Sequence, residues 1–497
     1  HVPLLVMTAD RPLELQDAGA PQTIDQVKLY GDFAKSFFDL GLPDPAPLSL
    51  AALGRVVAQA VLASKSPVPG PVQLNARARK PLEPSPPHTE HEHAVASEVS
   101  RLLARGVPRT FAETPRSDAR GIEALAERLR RAERRVLVVG PLPLYGARDV
   151  TAIAELSRKL DVPLAAEATS QLRFTGESDT RLSLDGLDWL LRANHPRPGL
   201  RPDLVLTFGA PPVSAGVERL LAARGPTELC VVAEHGFPDP TSSASIVVHG
   251  APGEVARRLL EALAGHQPSE PQSSYRELAV RENSAAWSAV DRALGAAPFG
   301  EPHAVRAALD AIPKGGLLVV GNSLPVREVD AFVRASARGI GVVCQRGANG
   351  IDGVVSGAAG TAHASRKPTL LLIGDVSFVH DLGGLVAARS VETPLVIVVL
   401  DNGGGRIFEH LPAARLFRER PEVRDLWVTP PKVAFDHAVR AFGLPYASAR
   451  LPSELEAALR DAFARPGASV VHVSLAPDGS RAAFAAVFSE LGEGTPE

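Results

Sequence analysis

Apolar positions in this chain fall in short continuous runs more than in strict alternation. Thr369–Ile373 stops at Gly374-Asp375, and Pro394–Leu400 stops at Asp401-Asn402-Gly403-Gly404-Gly405. Leu/Ile/Val runs closed by glycine predict strands buried on both faces, as in a parallel sheet with helical crossovers. Between these two runs a helical segment is expected at 382–390. Similar runs at 135–140, 162–167, 203–209, 228–234, 245–250 and 316–321 alternate with helical patterns such as 122–132 and 149–160. An amphipathic stretch at 48–64 leads to GPVQLNARARKPLEP (70–84), which reads as a closing strand and an exit. Strands alternating with helices predict an α/β fold of doubly wound parallel-sheet domains.

Two Pro/Ser-rich segments, 81–96 and 265–274, read as linkers. They divide the chain into a first domain (1–80), a central α/β domain (97–264) and a third domain (275–497). Three domains also suit a length of 497 residues. The run VPLLVM (2–7) is a buried-strand pattern with no element before it, so the first domain is expected to be incomplete, lacking its N-terminal half. His88, Glu90, His91, Glu92 and His93 crowd the first linker; they are expected to be solvated coil rather than metal ligands.

Composition narrows the function classes. Hydrophobic residues at 45%, charged residues at 22% and a net charge of −3 describe an ordinary globular protein and give no reason to expect nucleic acid or an anionic membrane as partner. No apolar run is expected to span a membrane. The two cysteines, Cys230 and Cys344, show no metal spacing, which favours a reducing cytoplasm.

The candidate chemistry sits where strands end. In open parallel sheets ligands lie beyond the carboxyl ends of strands, and there this sequence places Asp375 and Asn402. A carboxylate, an amide oxygen and a main-chain oxygen freed by glycines, that of Gly404, suit Mg²⁺, which completes its shell with phosphate oxygens and water. Gly374 allows close backbone approach to a phosphate and Ser377 can donate to it. Asp, Asn and Gly also form plain turns, so from these residues alone both readings stay open. Neither Gly140 nor Gly209 opens a dinucleotide fingerprint.

The GD…N pattern resembles the diphosphate-binding signature of thiamine-diphosphate enzymes. Val376 stands where most of them have a glycine. That departure, with Ser377 and GGGRIF (403–408), resembles the 2-succinyl-5-enolpyruvyl-6-hydroxy-3-cyclohexene-1-carboxylate synthase family of menaquinone biosynthesis. TADRP (8–12) with Gln22, GNS…R (321–327) and RGANGIDG (346–353) extend the likeness. Pro21 replaces a usual Asn, and Asn349 a usual Ser. The likeness is thin in the central domain, where FGAPPVSAGVERL (208–220) offers only Arg219 as a basic residue.

The resemblance implies three domains of the thiamine-diphosphate enzyme type and the cofactors thiamine diphosphate and Mg²⁺ or Mn²⁺. Gly374, Asp375, Val376, Ser377, Ile351, Asn402, Ile407, Phe408 and Leu411 are implied to hold the cofactor, Ile351 as the wedge beneath it. Asp375, Asn402 and Gly404 are implied metal ligands. Ser323, Arg327 and Arg346, with Arg11 and Gln22 from a neighbouring subunit, are implied to face the substrates 2-oxoglutarate and isochorismate. Four carboxylates on those substrates suit arginine clamps. The reaction implied is decarboxylation followed by conjugate addition to the ring, in a cytoplasmic homodimer or homotetramer with active sites between subunits. The activating glutamate is expected in the part of the first domain that the sequence lacks, so the chain alone is expected to be nearly inactive. Two alternatives are an acetolactate synthase-like carboligase or decarboxylase and a non-enzymatic cofactor-binding scaffold.

Overall fold

The computed structural model describes residues 1–111, 117–144, 150–176, 181–192, 199–223, 225–411, 414 and 420–492. The chain forms two compact units, His1–Arg116 and Ser117–Glu497.

In the first unit, β1 (Leu4–Asp10), β2 (Ser36–Asp39) and β3 (Pro71–Arg77) make a parallel sheet in the order β1-β3-β2. Asp10 pairs in register with Arg77. Its carboxylate meets the Arg77 guanidinium at 3.1 Å and accepts from Asn75 at 2.8 Å, which fixes the strand ends where Arg11 begins the next loop. The crossover between β2 and β3 is α1 (Pro47–Lys65). Contrary to the expectation from the sequence, this helix is long and apolar enough to cross a membrane, by length and composition only. Such helices also serve as crossovers, and α1 buries Ala58 and Ala60, the latter in a small core with Val72 and Leu74.

The His/Glu-rich segment is not coil. It opens α2 (Glu90–Arg105), because Thr89 accepts from the Glu92 N–H while Glu92 reaches back to the Thr89 N–H. That reciprocal capping box satisfies two otherwise orphaned donors, and it outweighs the proline-rich residues before it.

The second unit holds two parallel sheets. The central one has β4 (Arg135–Val139), β5 (Leu164–Ala166), β6 (Leu204–Phe208), β7 (Glu228–Ala233) and β8 (Ala244–His249), ordered β5-β4-β6-β7-β8. Its helices include α3 (Ala119–Arg131), α4 (Val150–Leu160), α5 (Leu187–Arg192), α6 (Ala215–Ala222) and α7 (Pro252–Ala262). The expected start of α4 at Asp149 lies outside the described residues. The second expected linker is partly helix: α8 (Glu270–Ala296) begins inside it, capped by Ser269 and Gln272.

The last sheet has β9 (Leu317–Val320), β10 (Gly341–Cys344), β11 (Thr369–Gly374), β12 (Leu395–Asp401), β13 (Tyr446–Ala449) and β14 (Ala468–Ser474), ordered β10-β9-β11-β12-β14-β13. Its helices include α9 (Glu301–Ala311), α10 (Leu324–Phe332), α11 (Val354–Ser365), α12 (Asp375–His380) and α13 (Leu385–Ala388). Strand alternation splits β11 cleanly. Leu370 and Leu372 enter the core on one face, Leu371 and Ile373 that on the other, and all four are fully buried. The helical segment expected at 382–390 is present as a 3-10 turn, Leu382–Gly384, that runs into α13, and a further helix, α12, starts directly at Asp375. Gly374, extended at φ −78° and ψ 159°, lets the chain turn from strand straight into helix.

The central sheet shares a core with helices that flank the last sheet. Trp189 of α5 packs on Phe332, Phe484 and Phe488 at 5.1–5.6 Å between ring centroids and donates to the Ala331 carbonyl at 2.8 Å. Arg173 ties the segment after β5 to the end of α10 through the carbonyls of Asp330 and Val333.

Candidate active site

The order of the last sheet places a switch point between β9 and β11, where the first strand has neighbours reached in opposite directions; crevices for ligands open at such points. Four strand ends converge there. After β9 comes Asn322, whose amide donates to the carbonyls of Gln345 (3.0 Å) and Gly350 (2.7 Å). Arg346 donates to the Asn322 oxygen at 3.4 Å. Asn322 therefore clamps the loop that carries Arg346 and Ile351, a role the sequence reading did not assign.

Ser323 has φ +73°, a left-handed conformation rare for serine and one that costs about 1–3 kcal/mol. Its carbonyl accepts from Arg327 at 2.7 Å, so the guanidinium folds back over the start of its own helix. Burial, then the neighbouring Arg346, pulls the Arg327 pKa below its ordinary value. Two guanidinium groups near enough to repel each other in a part-buried site make a place for anions. Asn349 takes φ +56°, which asparagine tolerates better than most side chains.

Asp375 is almost fully buried. Its carboxylate accepts from the N–H of Val376 and of Gly404, each at 2.7 Å. Burial and the nearby Asp401 push its pKa up to about 6. Asp401 itself sits below the carboxylate range: burial would raise it, but the hydrogen bond with His472 at 2.8 Å outweighs that, and Tyr446 meets the other ring nitrogen at 2.9 Å. Asn402 donates from its amide nitrogen to Glu301 at 2.9 Å, and its side-chain oxygen is buried without a partner. An orphaned buried acceptor beside a buried carboxylate fits a divalent cation. Gly404 has φ +127°, and a Cβ there would come 2.4 Å from the Val428 carbonyl oxygen, so only glycine fits. Its carbonyl already accepts from Arg406 N at 2.8 Å, leaving one lone pair. Arg406 also donates to the Asn402 and Gly403 carbonyls, bracing the turn.

A cavity of about 330 Å³ opens between the central and last sheets of this unit. Arg327, Ile407 and Leu411 line it, together with Arg219, His410 and Asp188. The structure thus brings Arg219, left unmatched in the sequence, to the same cavity as Arg327. Two carboxylates brace the loop before it. Glu167 accepts from the N–H of Val213 and of Ser214, each at 2.9 Å, and Asp188 accepts from the Ser214 hydroxyl at 2.8 Å. Phe408 packs edge-on against Trp427, 6.0 Å between ring centroids. In the first unit, Arg11 and Gln22 meet each other directly at 2.9 Å.

A buried carboxylate at a strand end, a partnerless amide oxygen and a glycine-only turn meet at a sheet switch point, a setting that suits a cation and the phosphates it binds. The family description "Thiamine pyrophosphate enzyme, C-terminal TPP binding domain" matches residues 342–473, so this part of the chain is a thiamine-diphosphate-binding domain. The fold agrees: a Mycobacterium smegmatis structure described as a thiamin diphosphate-dependent enzyme superposes with a TM-score of 0.64 at 18% identity, covering 96% of this chain and 82% of the other. Among curated relatives, the 2-succinyl-5-enolpyruvyl-6-hydroxy-3-cyclohexene-1-carboxylate synthase of Sorangium cellulosum is 41% identical over 98% of this chain and 80% of its own. The synthases of the same name from Geobacillus kaustophilus (40%, covering 89% and 74%) and Myxococcus xanthus (34%, covering 99% and 83%) follow the same pattern. This chain belongs to that synthase family of menaquinone biosynthesis.

Proposed function

We propose that this chain decarboxylates 2-oxoglutarate and adds the resulting four-carbon unit to isochorismate, releasing CO₂ and 2-succinyl-5-enolpyruvyl-6-hydroxy-3-cyclohexene-1-carboxylate. The observation that carries this reading is the cavity holding both Arg219 and Arg327 beside the apolar Ile407 and Leu411. Guanidinium forks suit carboxylates, and apolar walls exclude the water that would quench a carbanion. Bound thiamine diphosphate supplies the electron sink for that carbanion.

The roles divide by position. Gly374, Val376 and Ser377 cradle the diphosphate at the start of α12; Ile351, Ile407, Phe408 and Leu411 contribute apolar surface around the cofactor. Asp375, Asn402 and Gly404 hold Mg²⁺ or Mn²⁺, which would neutralise the diphosphate. The partnerless Asn402 oxygen supports this, and Gly404 would use its remaining lone pair. Ser323, Arg327 and Arg346 orient the acids, with Arg11 and Gln22 acting from a second copy. A homodimer or homotetramer is supported by the exposure of Leu4, Met7 and Leu13 on and after edge strand β1, since bare apolar strand edges call for cover. The two free thiols suit a reducing cytoplasm.

The test is to incubate the full-length gene product with thiamine diphosphate, Mg²⁺, isochorismate and 2-oxoglutarate. Consumption of both acids with CO₂ release is the expected result. Cofactor binding with decarboxylation but no use of isochorismate would move the activity to another 2-oxo acid carboligase.

A further inference from the structure

Behind the Asn402 amide lies a pair of buried acids that the reaction does not use. Glu301 opens α9 and Glu328 lies on α10, the residue after Arg327; they are 2% and 0% exposed. Glu301 accepts from the Asn402 amide nitrogen at 2.9 Å across a separation of 101 residues. Glu328 lies close enough to Glu301 for their charges to interact, and both its carboxyl oxygens and the Ser480 hydroxyl are buried without a hydrogen-bond partner. Two carboxyl groups kept this dry are costly unless each has a partner, so their position at the back of this one amide calls for a reason.

We propose that Glu301 is a positioning residue for the divalent-ion site, fixing which end of the Asn402 amide faces the ion. The inference rests on the reading of Asp375, Asn402 and Gly404 as the ion's ligands. A primary amide is nearly symmetric in shape and opposite in chemistry at its two ends. Without an acceptor behind it, the Asn402 NH₂ is free to turn toward the buried Asp375 carboxylate, a contact that competes with a cation. With Glu301 in place, that rotation would set the amide oxygen against a carboxylate oxygen. The hydrogen bond therefore keeps the oxygen forward, which is the state observed, with that oxygen buried and unpartnered. Outer partners of metal ligands act in this way, and losing one typically costs about 10- to 100-fold in metal affinity. One helix then serves two sites, since α10 sends Arg327 to the cavity and Glu328 to the back of the ion site.

The experiment measures Mn²⁺ affinity by electron paramagnetic resonance with thiamine diphosphate present, and thermal midpoints, on the full-length product. Asn402→Asp places carboxylate oxygen against carboxylate oxygen and should weaken Mn²⁺ binding by about 10- to 100-fold. Adding Glu301→Gln to it lets the glutamine N–H donate to the introduced carboxylate, and affinity should recover by at least about tenfold over the single variant. Glu301→Gln alone still offers an oxygen and should stay within a few-fold of wild type, whereas Glu301→Leu should not. The inference is overturned if the double variant binds no better than Asn402→Asp, or if folded Glu301→Leu binds as wild type does. If the wild type binds no Mn²⁺, or Asp375→Ala binds it equally well, the ion-site reading itself fails and takes the inference with it. Because Asn→Asp and Glu→Gln are isosteric, the rescue pair stays informative even if Glu301→Leu does not fold.

Discussion

The Asp375 carboxylate accepts the Gly404 N–H at 2.7 Å, so the ends of β11 and β12 are pinned to each other across the switch point of the sheet. Gly404 can make that bond only at φ +127°, with the Val428 carbonyl pressed where a side chain would be. Gly404→Ala is expected to cost about 1–3 kcal/mol from backbone strain alone, with more from the clash, and to weaken thiamine-diphosphate binding. Thermal melts and cofactor titration would check both; an unchanged melting point would refute the strain.

The arginines should act on substrate, not on cofactor. Arg346→Ala and Arg219→Ala are each expected to lower kcat/KM for the acids by about 10- to 150-fold, as befits a lost charge-assisted hydrogen bond, while leaving thiamine-diphosphate affinity unchanged. Steady-state kinetics with parallel cofactor titration separates the two effects. Equal loss of cofactor binding would count against the assignment.

The aromatic joint around Trp189 should make the two sheets of the second unit melt together. Trp189→Ala removes a fully buried ring and its hydrogen bond to Ala331, a change expected to cost about 3–5 kcal/mol. Calorimetry should show wild-type residues 117–497 unfolding in one transition. Two separate transitions in the wild type would show that the joint does not couple them.

Burial pushes the Cys230 thiol up to about 12, so at pH 8 its thiolate fraction is on the order of 10⁻⁴ and native protein should resist thiol reagents there. The sign for stability follows. The folded state holds this proton more tightly than the unfolded chain, so the contribution is intact below the unfolded thiol value, near 8.5. It is lost as pH rises from there toward 12. Ellman titration of native and unfolded protein, with melts between pH 8 and 11, would test this; rapid native labelling of Cys230 at pH 8 would contradict it.

Much of this was determined by the sequence alone, for a local reason. Apolar runs such as Leu370–Ile373 fix buried parallel strands because strand burial is written in consecutive residues, and the Gly-Asp and Asn-Gly ends fix where polar atoms can emerge. The capping box at Thr89 and Glu92 was equally local, yet the prolines beside it masked it. What only tertiary structure decided is which distant groups meet. Glu301 lies 101 residues from Asn402. Arg219 reaches the Arg327 cavity only because α5 and α6 pack beside α10. Neither pairing has a period or spacing in the chain, since contacts between elements are set by how sheets stack and not by neighbours in sequence.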